Sequence, residues 1–165
     1  MPLSLYEVSI PVFIKHLNML SKILEKGRIH ASSNEAGLLE SKLISDMGGL
    51  IYQIQRVSDT SKGVATRAGG VAPVSLPDNE TTFPQLQERI QKTIEVLNSV
   101  KEETMNASEE KEISMPTRNG EIKMSGKEYI LNFAIPNFFF HVCMTYAILR
   151  KEGVDIGKND YLGRV

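Results

Sequence analysis

Phe133 to Arg150 reads FAIPNFFFHVCMTYAILR, a run almost wholly apolar and long enough for a buried helix. It nevertheless carries Asn137, His141 and Thr145 at steps of four, which on a helix places them in one line. Phe138, Phe139, Phe140, Val142, Met144 and Leu149 occupy the neighbouring faces. A helix apolar all round is a buried helix, so its few polar groups need partners inside. Pro136 cannot donate to the carbonyl of Asn132, and that oxygen also needs a partner near the stripe. The polar stripe and the proline together argue against a membrane span.

Working outward, Gly153 is well placed to cap the C-terminus of this helix, which is expected to reach about Lys151. Its N-terminus is set by Ser125 and Glu128, spaced as a capping box. Just upstream, EISMPTRNGEIKMS places Asn119-Gly120 between short alternating arms, a strong hairpin signal. Three further helices precede it. Ser4 and Glu7 form a capping box for the first, with Phe13, Leu17, Leu20 and Leu24 at helical spacing and Pro11 as a kink or true start. The second is expected from about Leu38 to Thr60, with Leu39, Leu43, Met47, Leu50, Ile54 and Val57 as its seam. Gly63, Gly69, Gly70, Pro73 and Pro77 then make Lys62 to Thr82 a loop, longer than a compact domain usually holds without a function. Thr81 or Thr82 caps the third helix, which shows Phe83, Leu86, Ile90, Ile94 and Leu97 on one face. The pattern predicts one all-α domain over residues 1–165, a four-helix bundle with a small β-hairpin before the last helix.

Composition narrows the function classes. The 165 residues are 41% hydrophobic and 24% charged with net charge −1, as in an ordinary globular protein. There is no basic footprint for nucleic acid. MPLSLYEVSIPVF lacks a basic n-region and a cleavage site, so no secretory signal is expected, and the cytoplasm is the expected location. The one cysteine, Cys143, excludes an intramolecular disulfide; between Val142 and Met144 it reads as a buried structural thiol. No GxSxG, P-loop or dinucleotide fingerprint is present.

If the stripe faces a cavity between helices, His141 is its acid or base, because imidazole titrates near neutrality. Asn137 would hold a carbonyl or enolate oxygen through its amide. The plainer reading makes the stripe the water-facing edge of the helix. The second helix offers partners: Asp46, Gln53 and Thr60 recur at sevens, and Asp59 lies near its expected end. A carboxylate from Asp46 or Asp59 facing His141 would fix its tautomer. Arg67, with Lys62, could grip an anionic substrate from the loop, and Thr145 and Tyr146 complete the candidate wall with Phe133, Phe138 and Phe140.

LLESKLISDM, QIQRVSDTSKG, the RAGGV run, LPDNETTFPQLQERI and IPNFFFHVCMTYAILRKEGVDIGKNDYLG resemble the DUF1993 family, grouped with DinB/YfiT-like four-helix bundles. The resemblance spans Tyr6 to Gly163 and implies a DinB-like bundle. DinB-like relatives often carry three histidines for a divalent metal, and some are thiol-dependent transferases. Here Thr60 stands where family members of SDHAKG type have a histidine, Thr145 stands where a second ligand of a His-x-x-x-His pair would be, and His16 and His30 lie elsewhere. No metal and no cofactor are therefore expected. The reading favoured is metal-free acid–base chemistry of isomerase or cyclase type on a hydrophobic small molecule with a carbonyl or phenol. His141, Asp59 and Asp46 would be catalytic, and Asn137, Gln53, Thr145, Tyr146 and Arg67 would bind substrate. A metal-dependent or thiol-transferring enzyme is the alternative. A non-catalytic scaffold, with the stripe packed and an apolar face at a homodimer interface, is the other.

Overall fold

Ser4 opens the chain's first element as its spacing predicts, accepting from the Glu7 amide at 3.2 Å while Glu7 accepts from the Ser4 amide at 2.9 Å. In the computed structural model, which describes residues 3–164, this box starts α1 (Leu5–Ala31). Pro11 lies inside α1, not at its start. Phe13, Leu17, Leu20 and Leu24 are fully buried.

The expected second helix is broken. α2 (Glu35–Glu40) stops at Ser41, turns fill 41–49, and α3 (Leu50–Arg67) begins after Gly49. The reason lies in Gly48-Gly49. A Cβ on Gly49 would stand 3.1 Å from the Ser41 carbonyl and 3.2 Å from that of Glu40. The missing side chain thus lets the chain fold back onto the end of α2, and the Leu50 amide reaches the Ser41 carbonyl at 3.0 Å. Leu43 and Met47 therefore leave the seam, and Asp46 is an exposed turn residue rather than a helix-face carboxylate.

At its other end α3 continues past Thr60 to Arg67, so Gly63 is helical and the loop begins at Ala68. Val57, Val64, Ala65 and Ala68 are all buried, and their packing overrides the helix-weakening glycine. Thr82 and Gln85 box the start of α4 (Phe83–Asn98), whose Phe83, Leu86, Ile90, Ile94 and Leu97 face the core.

A short α5 (Glu102–Asn106) leads to β1 (Glu112–Thr117) and β2 (Gly120–Ser125). They pair antiparallel with Ile113 opposite Met124 and Thr117 opposite Gly120, whose φ of 115° suits the hairpin turn. Ser125 and Glu128 then box the last helix. It comprises α6 (Gly126–Glu128), a π-helical segment (Tyr129–Ala134) and α7 (Ile135–Lys151). The Ile135 amide bonds to the Ile130 carbonyl five residues back, widening the turn that precedes Pro136. Pro136 has no amide to continue the ordinary ladder, which makes the wider turn tolerable there.

α1, α3, α4 and the composite last helix form the four-helix bundle, with the hairpin before the last helix. α7 packs chiefly on α3, and Phe138 stacks on Phe13 with ring centroids 4.1 Å apart. By length and hydropathy Gly126–Lys151 could cross a membrane; here Phe138, Val142, Ile148 and Leu149 are buried in the bundle. Past the left-handed Gly153 (φ 85°), Val154 and Ile156 are buried and α8 (Lys158–Tyr161) lies on α1, tied by Asp160 to Lys26 at 2.6 Å. Cys143 is exposed, against expectation. Two residues beyond His141, it falls on nearly the opposite side of α7, where the Tyr161 hydroxyl lies 3.5 Å from its Sγ.

Candidate functional site: the seam between α3 and α7

The polar stripe is neither the solvent edge of α7 nor the wall of an open central cavity. It faces α3, and each of its members is paired there or within α7. His141 is 8% exposed and its Nδ1 lies 2.8 Å from Gln53 Oε1. The Gln53 Nε2 donates to the Gly48 carbonyl at 2.8 Å. A carbonyl can only accept, so that bond fixes the amide: Nε2 faces Gly48 and Oε1 faces the histidine. Nδ1 must then be the protonated nitrogen, and Nε2 keeps a lone pair with no protein hydrogen bond among the described residues. Burial, with the Arg56 guanidinium adding to it, pushes the imidazole down to about 4, so the ring is neutral at physiological pH. Phe140 and Tyr52 flank it edge-on, with centroids at 5.2 and 6.1 Å.

The tautomer is therefore held by an amide, and not by the expected carboxylate. Asp46 is an exposed turn residue, as described above. Asp59 belongs to another constellation: it pairs with Arg56 at 3.0 Å, Lys62 at 3.2 Å and Arg89 at 3.0 Å. Arg89, 1% exposed, also binds Asp78 at 3.0 Å, Glu80 at 2.8 Å and the Pro77 carbonyl at 3.1 Å. Arg56 meets Asp78, and Gln55 donates to Glu80 at 2.9 Å. Burial raises the Glu80 carboxyl, but the bonds from Arg89 and Gln55 outweigh it and hold the group below its usual range. These contacts strap the loop after α3 along that helix. Sequence reading missed Arg89; the available signal was a charge three residues after Leu86 and four before Thr93, on the apolar face of α4.

One turn along α7 from His141, the Asn137 Nδ2 donates to Thr60 Oγ1 at 2.8 Å, while Thr60 donates to the Arg56 carbonyl at 2.8 Å. One amide hydrogen of Asn137 is thus committed, leaving the other hydrogen and the carbonyl oxygen. This pair lies in a cleft of about 250 Å³. Arg56, Asp59 and Arg67 line it from α3, with Tyr129 and Phe133 from the π segment and Met115 and Pro116 from β1. Arg67 donates to the Tyr129 hydroxyl at 3.2 Å and lies 5.9 Å from that ring. Burial pushes the Tyr129 phenol up, only partly offset by Arg67. Tyr129 escaped the sequence reading because its place depends on the π turn, which periodicity does not reveal.

Three expected binding residues, Asn137, Arg67 and the aromatic Phe133, thus share one cleft with Asp59, while Gln53 belongs with His141. The others do not join them. Thr145 is fully buried and donates back to the His141 carbonyl at 3.0 Å. Tyr146 packs on Tyr161 at 5.9 Å, Phe138 is core, and Phe140 is half exposed. Among the described residues no cluster of His, Cys, Asp or Glu is arranged to hold a metal ion. Around His141 the available donors are an amide and hydroxyls, which do not fit the nitrogen, sulfur and carboxylate set of a zinc centre. His16 bonds the Val12 carbonyl at 2.8 Å and His30 the Glu152 carbonyl at 3.0 Å, both away from the seam.

The family described as "Domain of unknown function (DUF1993)" matches residues 5–162. A crystal structure of a DinB family member protein from Shewanella denitrificans superposes with a TM-score of 0.89 at 34% identity, covering 96% of this chain and 92% of that one. Comparison with curated proteins gives no match.

Proposed function

The chain belongs to the DUF1993 family, with a DinB-like fold, and on that premise we propose that it is a small-molecule enzyme working by metal-free acid–base chemistry at the α3–α7 seam. One observation carries the reading: the Gly48–Gln53 relay fixes the tautomer of a His141 ring that burial keeps neutral, leaving its Nε2 unpaired. A nitrogen in that state takes a proton. Its conjugate acid, near 4, returns the proton readily but makes Nε2 a weak base, so the proton it moves must be one acidified by the oxygen beside it. The remaining amide hydrogen of Asn137, one turn away, would donate to the oxygen on which charge develops. The substrate is a small apolar molecule with a carbonyl or phenolic oxygen, seated in the adjoining cleft, and the reaction is of isomerase or cyclase type.

The test is deuterium exchange next to the carbonyl of small aryl ketones and aldehydes, followed by NMR in heavy water. The wild-type chain should accelerate exchange. His141→Gln should abolish the acceleration while leaving the helical circular dichroism unchanged. The wild-type rate should stay flat through neutrality and fall only as pH approaches about 4, where Nε2 becomes protonated. An equally active His141→Gln protein, or a wild-type chain no faster than buffer, would remove the proposal.

A further inference from the structure

We infer that the cleft beside Thr60 and Asn137 binds a small organic monocarboxylate with an apolar body, clamped by the guanidinium of Arg67. This deepens the preceding proposal by naming the substrate class, and it rests on that reading only for the claim that the bound molecule is turned over.

Arg67 is half-buried in the cleft, yet no carboxylate lies within ion-pair distance of it among the described residues. Its one polar partner among the described residues is the phenol of Tyr129, so most of its five donors remain for a ligand. The side chain is also seated. A Cβ on Gly63, one turn back on α3, would overlap Arg67 Nη1 and stand 3.1 Å from the Tyr129 hydroxyl. Glycine inside a helix weakens it by roughly 1 kcal/mol relative to alanine, and here its missing side chain makes room for a guanidinium. A planar fork held against an aromatic ring is preorganised for the two oxygens of a carboxylate.

The rest of the cleft selects among anions. Met115, Pro116 and Phe133 supply an apolar wall for the body of the ligand. The volume, about 250 Å³, lies below the roughly 300–1,000 Å³ typical of drug-sized sites, so the ligand is fragment-sized. Arg67 belongs to the last turn of α3, where the helix dipole disfavours negative charge. Asp59 adds a carboxylate to the lining, although Arg56, Lys62 and Arg89 already compensate it. A monoanion tolerates that field better than a phosphate dianion does.

Three probes titrated into the full, nitrogen-labelled chain and followed by NMR test the inference: phenylacetate, neutral phenylacetamide and phenyl phosphate. Saturable phenylacetate binding is expected, with shifts at Tyr129 and Asn137. The amide and the phosphate should bind at least about tenfold more weakly. Arg67→Gln should lose about tenfold or more in phenylacetate affinity. Gly63→Ala, which keeps every charge, should also weaken binding by displacing the guanidinium. The inference is overturned if phenylacetate fails to bind, if either comparison probe binds as tightly, or if either variant binds like the wild type. His141→Gln separates the two proposals. Normal phenylacetate affinity with no proton exchange supports both; normal affinity with wild-type exchange leaves the carboxylate site standing and sinks the acid–base reading.

Discussion

Arg89 and Arg67 are two guanidiniums whose surroundings differ in one decisive respect. Arg89, 1% exposed, has Asp59, Asp78, Glu80 and a backbone carbonyl around it, so its charge and both terminal nitrogens are answered by the protein, with Nε alone left unbonded among the described residues. Arg67, half-buried, has a phenol and, among the described residues, no carboxylate. A buried charge that the chain itself neutralises is part of the structure, here the fastening of the 68–82 loop onto α3 and α4. One left without a counter-charge in a concave, partly apolar setting is available to something the chain does not contain. The same contrast separates two predicted carboxylates from the histidine they were expected to serve. Asp59 answers arginines, Asp46 is in solvent, and His141 is oriented by a neutral amide.

The most disruptive way to break this contrast is to remove the satisfied arginine. Arg89→Met would leave Glu80, whose side chain is 8% exposed, with only the Gln55 amide among the described side chains, and would leave Asp59 and Asp78 with Arg56 as their one shared cation. Stripping one partner from a buried ion cluster costs about 3–5 kcal/mol. Urea denaturation should show that loss, while Arg67→Met should stay within about 1 kcal/mol of the wild type, the worth of one partly exposed hydrogen bond. Equal losses in the two variants would erase the distinction between a structural and an available arginine.

How much of this was legible in the sequence depended on how local the cause was. Ser4, Thr82 and Ser125 announced their helices because a capping box is closed within four residues. Asn119-Gly120 announced the hairpin for the same reason. The second helix misled because Leu43 and Met47 kept an apolar rhythm through a segment that Gly48-Gly49 folds back. Gly63 misled in the opposite sense: it looked like a breaker, and the burial of Val64 and Ala65 keeps it helical. The stripe on α7 was correctly located, and two of its expected partners, Gln53 and Thr60, do meet it, while the carboxylates Asp46 and Asp59 do not. Whether Gln53 or Asp59 meets His141 is decided by the register between α3 and α7, which no single helix encodes.

The next largest effect concerns that histidine. Its folded pKa, about 4, lies below the ordinary 6.5, so the unfolded ring binds a proton at pH values where the folded ring does not. Acid therefore favours unfolding. The contribution is whole above about pH 6.5 and is lost as pH falls from there through about 4. With part of the ring edge reaching solvent, the amount is on the order of 1–2 kcal/mol, less than the full shift would give. Comparing urea midpoints near neutrality and near pH 4.5 should show a steeper loss for the wild type than for His141→Gln, which carries no titrating ring there. Parallel losses would mean that burial at the seam does not hold the ring neutral.

The smallest effect tests the seat of Arg67 by stability alone. Gly63→Ala should gain about 0.5–1 kcal/mol from helix propensity, because the position lies inside α3. The new methyl group overlaps Nη1, the far end of a flexible side chain, and presses on the Tyr129 hydroxyl at 3.1 Å, so the fold absorbs it by moving Arg67 off Tyr129 and easing that hydroxyl aside. The lost hydrogen bond is worth about as much, and the net change should be near zero. In an Arg67→Gln background the shorter side chain has less to displace, so the same substitution should yield most of its propensity gain. A double-mutant cycle would therefore report a coupling of about 0.5–1 kcal/mol between two residues one helical turn apart. An additive cycle would mean that the glycine accommodates nothing, and that Arg67 lies beside Tyr129 by chance of packing instead of by a vacancy the sequence keeps open.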